Sequence, residues 1–326
     1  MSRRGLALFA AMSVIWGMPY LFIKIAVGGV PVSVLVLARV LIGAALLLPI
    51  ALRRGQFAAL RGAWRWVAAF AFVEITFPWI VLSEAERSIS SSLSGLLLAS
   101  VPIIIALLGL LLRVGDRLSP IRWIGLLIGL GGVALLAGPN LIGAHASGAV
   151  ARSVGEVLFV ALCYAIGPLI ANRKLDGVPP VALTAASLSI AAVAYAPLAA
   201  LDWPSSIPSA KVLASIVGLA VICTAAAFLI FFRLIAEVGP ARASVVTYIN
   251  PAIAVSLGVA VLGERVTPTM LLTFGTILVG SVLATRPSGR QADRAGEARP
   301  AVARRPAGRP VEVTPAGALL AEQDCG

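Results

Sequence analysis

The chain has 326 residues, of which 60% are hydrophobic and only 12% are charged, and its formal net charge is +12. A soluble domain carries about 25% charged residues, so this composition excludes a soluble cytosolic enzyme, a secreted disulfide scaffold and a disordered chain. The basic residues recur in short clusters between apolar runs, which is typical of membrane orientation and not of nucleic-acid binding.

Long apolar runs follow one another along the chain. A bilayer core of roughly 30 Å requires about 20 apolar residues in a helix, and the runs lack the alternation of a membrane β-barrel. The first run follows Ser2-Arg3-Arg4 as a signal peptide would, but it is longer than a signal core and we expect it to be retained. We predict an all-α integral membrane protein with ten transmembrane helices at residues 6–27, 32–52, 66–83, 93–112, 121–138, 153–171, 181–201, 210–232, 244–262 and 269–285.

The distribution of Lys and Arg predicts the orientation. With the N-terminus inside, the inner segments before residue 286 hold thirteen Lys and Arg residues and the outer ones hold four. This positive-inside bias predicts an even number of helices and cytoplasmic N- and C-termini. From residue 286 the chain is rich in Pro, Gly, Ala, Arg and Glu, which predicts a disordered cytoplasmic tail over 286–326.

A motif in the first half of the chain recurs 148 to 149 residues later. Each copy has a proline in an apolar run, then Gly-acid-Arg, then glycines in the next run. These positions are Pro102, Gly115-Asp116-Arg117 and Gly131-Gly132, and then Pro251, Gly263-Glu264-Arg265 and Gly280. Each copy contains five predicted helices, and because five is odd the second copy must be inverted in the membrane. We therefore predict two inverted five-helix repeats, at residues 1–142 and 143–285.

With these motifs the chain resembles the EamA-type members of the drug/metabolite transporter superfamily. The resemblance also includes Ile15-Trp16-Gly17 and Lys24, and it departs slightly at Asp116, where the family usually has Glu. It implies a multi-pass protein of the plasma (cytoplasmic) membrane that transports a small metabolite, an amino acid or a drug, and it does not imply one substrate or one direction.

The sequence offers little for cofactor chemistry. The three cysteines are scattered without pairing or metal spacing, and the single histidine, His145, lies in a predicted loop. No ATP-binding loop with Gly-Lys-Ser/Thr is present, so a gradient or an external partner must drive transport. We expect no metal, no cofactor and no catalysis.

Two charges inside predicted spans are candidate binding residues. Glu74 lies near the membrane midplane, where a charge costs about 2.5–3.5 kcal/mol, and Arg39 in the second run is its natural partner. The pair is either a substrate or proton site or a structural ion pair.

The first run presents a mixed aromatic and cationic face. Trp16, Tyr20 and Lys24 are spaced i, i+4, i+8, which suits a cavity wall, and Tyr164 matches Trp16 through the repeat. The alternatives are an ordinary helix contact for the aromatic residues and, for Lys24, extension to the lipid headgroups.

The repeated prolines predict helix kinks. An interior proline removes a backbone hydrogen bond, so Pro102 and Pro251 mark either hinges or fixed packing kinks. Tyr248 and Asn250 precede Pro251 and offer polar groups to a central cavity.

The leading hypothesis is a secondary active transporter that works by alternating access, with proton coupling and efflux as its specific form. Its partners would be a small-molecule substrate, membrane lipid and protons, and the oligomeric state is open, with a homodimer as one alternative. A channel or a structural membrane subunit is a second hypothesis. A membrane-embedded enzyme acting on lipid-linked substrates is a weaker third, because it would need acidic or histidine clusters that the spans lack.

Overall fold

A computed structural model describes residues 1–112, 119–142 and 147–285 of the chain. Over these ranges every regular element is a helix and none is a strand, so the all-α prediction is confirmed for this part of the chain. The tail over 286–326, the Gly115-Asp116-Arg117 motif and His145 lie outside the described residues.

The described residues form ten long helical segments, numbered α1 to α10 here. Their bounds are Arg3–Ala26, Val32–Arg53, Trp64–Ser88, Ser91–Leu111, Pro120–Ile142, Gly148–Lys174, Pro180–Leu201, Ala210–Val238, Val246–Leu262 and Pro268–Ala284. A short 3₁₀ helix, Gln56–Leu60, precedes α3, and a single turn, Pro240–Ala243, precedes α9.

Eight of these helices, α1 to α8, are long and apolar enough to cross a membrane. The last two, α9 and α10, have 17 residues each, which is about 25 Å of helix against a bilayer core of roughly 30 Å. The multi-pass membrane character is therefore clear, and the ten-span topology stays a prediction.

Local sequence explains where several helices begin and end. At five helix starts a hydroxyl side chain accepts a hydrogen bond from the backbone N–H three residues later, which satisfies an otherwise free donor. These residues are Ser2, Ser90, Ser147, Ser209 and Thr267. At the other end of α9, Gly263 adopts a left-handed conformation with φ of 65°, which a glycine accepts without strain.

The two predicted kink prolines have different surroundings. In α4 the helix is interrupted at residues 99–100, and Pro102 lies in the first turn of the continuation, Val101–Leu111. Pro251 is buried inside the continuous α9 helix, where the carbonyl four residues earlier loses its usual donor.

The main contacts between helices join the first five to the last five. Helix α1 packs against α8 and α9, α2 against α7 and α8, α3 against α6 and α7, α4 against α6 and α9, and α5 against α10. In the α5–α10 pair, a Cβ added at Gly280 would overlap the backbone of Gly129. Glycines therefore let these two helices approach at backbone distance.

Two helices contain π-helical segments, at Ala71–Thr76 in α3 and Gly218–Ala226 in α8. The hydroxyl of Thr76 donates to the carbonyl of Ala71 at 3.0 Å, and that of Thr224 donates to the carbonyl of Leu219 at 2.9 Å. Each bond spans five residues, as the wider turn requires. Such segments are rare and frequently mark functional sites.

Candidate functional site

The buried guanidinium of Arg39 is the centre of the candidate site. The residue is 6% exposed, its Nε donates to the hydroxyl of Thr224 at 3.0 Å, and its Cζ lies 3.4 Å from the ring centroid of Trp79. One side chain of α2 thus contacts both α3 and α8. A cation over an indole ring is attracted by the negative face of the ring.

Two tyrosines from other helices extend this centre. Tyr20 of α1 and Tyr164 of α6 lie near Arg39 and near each other. We call Arg39, Trp79, Thr224, Tyr20 and Tyr164 the Arg39 cluster. It joins α1, α2 and α3 to α6 and α8, and so brings together three of the predicted site residues: Tyr20, Arg39 and Tyr164.

The expected ion pair between Glu74 and Arg39 is not formed. Glu74 lies in the π-helical segment of α3 and its carboxyl group occupies the space that a Cβ at Gly167 of α6 would need. Its Oε2 atom is buried without a hydrogen-bond partner. The prediction that Arg39 pairs with Glu74 is wrong because Glu74 turns towards α6, whereas Arg39 reaches α8 and the face of Trp79.

Lys24 is half-buried and contacts the end of α3. Its Nζ donates to the backbone carbonyls of Glu86 at 2.5 Å and Ile89 at 2.8 Å, where α3 ends. The last carbonyls of a helix lack intrahelical donors and carry partial negative charge, so a lysine here stabilises the helix end.

The sequence analysis missed Glu86. It is 0% exposed, and neither carboxylate oxygen has a hydrogen-bond partner. Three charged residues, Lys24, Glu264 and Arg39, lie near it. The predicted third span ended at residue 83, but α3 continues to Ser88. The missed signal is spacing: Glu86 follows the buried Leu82 by four residues and therefore shares its helix face.

Glu264 binds the start of α4. Its carboxylate accepts hydrogen bonds from the backbone N–H and the hydroxyl of both Ser91 and Ser92, at 2.5 to 2.9 Å. Partial burial alone would raise the pKa of Glu264, but these four bonds prevail and lower it below its usual value. Glu264 thus neutralises the positive end of α4, beside the negative end of α3 that Lys24 contacts.

The remaining predicted residues are in other contacts. Trp16 packs against Phe231 of α8, with ring centroids 4.5 Å apart. The Tyr248 hydroxyl is hydrogen-bonded to that of Thr285 at 3.0 Å. Asn250 is buried in α9, with Oδ1 lacking a partner. Trp16 therefore makes the helix contact given above as its alternative.

An open cavity of about 670 Å³ lies between the ends of α3 and α7 and the starts of α2 and α6. We call it the vestibule. Two ion pairs line it, Arg87 with Glu84 at 3.5 Å and Arg152 with Glu156 at 2.7 Å. Asp202 lines it as well and accepts a hydrogen bond from Ser33 at 3.0 Å. Within the described ranges, no group of three or more His, Cys, Asp or Glu residues could hold a metal ion.

Comparison with known proteins decides the family. The model of the EamA-like transporter family matches residues 3–138 and 154–286. The chain belongs to the EamA-like transporter family. The motif-based resemblance is therefore confirmed.

Relatives of this EamA-family chain are named as transporters. It is 27% identical over 292 residues to the "Uncharacterized inner membrane transporter YedA" of Escherichia coli strain K12, covering 87% of this chain and 92% of the relative. It is 25% identical over 236 residues to the "Uncharacterized transporter sll0355" of Synechocystis, covering 68% of this chain and 71% of the relative.

A protein of known crystal structure has the same fold. It is 22% identical, with a TM-score of 0.61, over 86% of this chain and 96% of that protein. Family membership and the relatives' names together point to a multi-pass membrane transporter and not to an enzyme.

Proposed function

We propose that this chain is a secondary active transporter that exports a small metabolite, amino acid or drug across the cytoplasmic membrane by alternating access. Ten spans form two inverted halves, residues 1–142 and 143–285, and both termini are cytoplasmic. The observation that carries the proposal is the Arg39 cluster, a buried polar centre to which both halves contribute side chains.

The pattern of helix packing supports the two-half architecture. If each helix is replaced by its counterpart five positions along, the α1–α8 pair becomes α6–α3 and the α1–α9 pair becomes α6–α4. The pairs α2–α7, α4–α9 and α5–α10 return to themselves, and α2–α8 becomes α7–α3. Each main helix pair therefore has a counterpart among the main pairs, or is its own counterpart. A two-fold relation between the halves produces this pattern.

The π-helical segments support the same relation. Thr76 and Thr224 are 148 residues apart, the spacing of the repeated sequence motif, and each donates to the carbonyl five residues earlier. A rare local structure at equivalent points of both halves favours a shared ancestry of the halves.

Proton coupling through Glu74 is the specific form that we propose. A carboxylate oxygen that is buried without a hydrogen-bond partner, as Oε2 of Glu74 is, is costly in an apolar environment. No basic side chain lies within ion-pair distance of Glu74 among the described residues. A carboxyl group in such a position can alternate between binding a proton and releasing it, as proton-coupled transporters require.

The test begins with a screen of amino acids, drugs and metabolites for thermal stabilisation of the purified protein, because a ligand of the folded state raises its Tm. The stabilising compound is then followed in proteoliposomes with an imposed pH gradient. We expect saturable, gradient-dependent flux. Flux that does not saturate would indicate a channel, and product formed from polyprenyl phosphates would indicate an enzyme.

A further inference from the structure

The guanidinium of Arg39 has no acidic partner. Among the described residues it forms no ion pair, and its one hydrogen bond joins Nε to the neutral hydroxyl of Thr224. A buried cation without a counter-charge is strongly destabilising. The transporter therefore keeps a charge in its core that a ligand could balance.

The two nearby acids do not supply that balance. Among the described residues, Glu86 lies beyond ion-pair distance of Arg39, and neither of its carboxylate oxygens has a hydrogen-bond partner. Glu74 lies against Gly167 of α6 and is not an electrostatic neighbour of Arg39. Within the described residues, the guanidinium of Arg39 therefore has no acidic side chain in contact with it.

The contacts of Arg39 leave one edge of its planar group free. Trp79 covers a face, and Thr224 occupies Nε. The Nη1–Nη2 edge remains, and its two parallel N–H groups match the two oxygens of a carboxylate. The hydroxyls of Tyr20 and Tyr164, which lie near Arg39, are further groups that can donate a hydrogen bond to an anion.

We propose that the Nη edge of Arg39 binds the carboxylate group of the transported solute, which makes the substrate class small organic acids, including those with an additional amine. The assignment builds on the proposed transport function and names what its central site recognises. A carboxylate carries one charge, whereas phosphate carries about two near neutral pH. Because the cost of desolvating an ion rises steeply with its charge, one buried guanidinium favours the carboxylate.

The test uses the purified full chain in detergent, without any gradient, and four probes at equal ionic strength: benzoate, benzamide, benzylamine and inorganic phosphate. Benzoate and benzamide have nearly the same shape but differ in charge. We expect benzoate to raise the Tm and to change the tryptophan fluorescence, because Trp79 covers the site. The other three probes should do neither.

Substitutions then connect the effect to Arg39. Arg39→Gln should weaken benzoate binding by about 10- to 100-fold, the usual worth of charge-assisted hydrogen bonds. Arg39→Lys should weaken benzoate binding less, because lysine keeps the positive charge but lacks the two parallel N–H groups of the guanidinium. The matched control is Arg53→Gln at the end of α2, the helix that also carries Arg39; Arg53 is exposed, and its substitution should leave binding unchanged.

Several outcomes would overturn the assignment: equal effects of benzoate and benzamide, unchanged benzoate binding in Arg39→Gln, tighter binding of phosphate, or no response to benzoate. If Arg39→Gln does not fold, the proposed carboxylate site is still tested by Arg39→Lys and by the comparison of the four probes on the unsubstituted chain. Arg39-dependent benzoate binding without flux of any solute in proteoliposomes would contradict transport and leave this site standing. Flux without preference for carboxylates would support transport and contradict the carboxylate site.

Discussion

The two π-helical segments have the same backbone feature but different side-chain chemistry. In α8 the hydroxyl of Thr224 accepts a hydrogen bond from Arg39, whereas in α3 the backbone carbonyl of Thr76 accepts one from the hydroxyl of Tyr195. The counterpart of Glu74, 148 residues later, is Ile222, and the counterpart of Arg39 is the buried Ser187. The halves thus agree in packing and differ in charge at these positions, and the two charged residues that we propose to be functional are ones at which the repeat is broken.

Substitution of Glu74, the acid in the π-helical segment of α3, should have the largest effect, and we expect that effect on transport. Glu74→Gln keeps the shape but cannot exchange a proton, so we expect it to abolish pH-driven flux in proteoliposomes while the protein stays folded. Glu84→Gln, on the same helix at the vestibule, is the matched control and should transport normally. Unchanged pH-driven flux in Glu74→Gln would remove the proposed coupling role.

A side chain placed at Gly167, in the space opposite Glu74, should have the next largest effect, and we expect it on the stability of the fold. A Cβ at Gly167 would meet the carboxyl group of Glu74, whereas one at Gly155 on the same helix meets nothing within 4 Å. We expect Gly167→Ala to lower the free energy of unfolding by about 1–3 kcal/mol. Gly155→Ala should be neutral or stabilising by up to about 1 kcal/mol. Denaturation of both variants in the same detergent measures the difference, and equal stabilities would show that Glu74 is free to move.

Thr76 and Thr224 allow a direct test of the different side-chain chemistry of the two π-helical segments. Thr224→Val removes a hydroxyl that bonds both to Arg39 and to the helix backbone, whereas Thr76→Val removes only the backbone bond. A hydrogen bond to a charged group contributes about 1.5–3 kcal/mol and a neutral one about 0.5–1.5 kcal/mol. Thermal unfolding should therefore show a larger loss for Thr224→Val, and the opposite order would contradict the assigned role of Arg39.

The smallest effect is expected at Glu264, outside the membrane core, and it concerns the pH dependence of the Tm. Because the pKa of Glu264 is lowered in the folded protein, its ionised form stabilises the fold above the pKa of an ordinary glutamate. That contribution is lost as the pH falls through the lowered value. The unsubstituted chain should thus lose Tm on acidification in this window more steeply than Glu264→Gln. Parallel pH profiles would mean that the contact with Ser91 and Ser92 adds no stability.

The sequence predicted the large-scale features because they depend on hydropathy, charge bias and repeated motifs. The family, the helical class and the positions of the first eight spans follow from these patterns. The burial of Arg39 agrees with the rule that a charged group in an apolar run must face protein or a cavity, whereas the roles of Tyr20, Arg39 and Tyr164 stay predictions.

The pairing of charges could not be predicted in the same way. Depth in the membrane suggested that Arg39 and Glu74 meet, but a π-helical segment shifts the register of side chains around α3, and helical spacing of 3.6 residues does not reveal it. Glu86 was missed because hydropathy ends a span where charges begin, although α3 continues with Leu82 and Glu86 on one buried face.

The central claim is that two halves of opposite orientation share one site, and the most direct test is the side from which matched positions are labelled. Ser88 and Ala236 are exposed near the ends of α3 and α8 and are 148 residues apart. A single cysteine is placed at each in a cysteine-free background and treated with a membrane-impermeant maleimide. We predict that Ser88→Cys reacts in intact cells and Ala236→Cys only in inverted vesicles. Labelling of both from the same side would contradict the account.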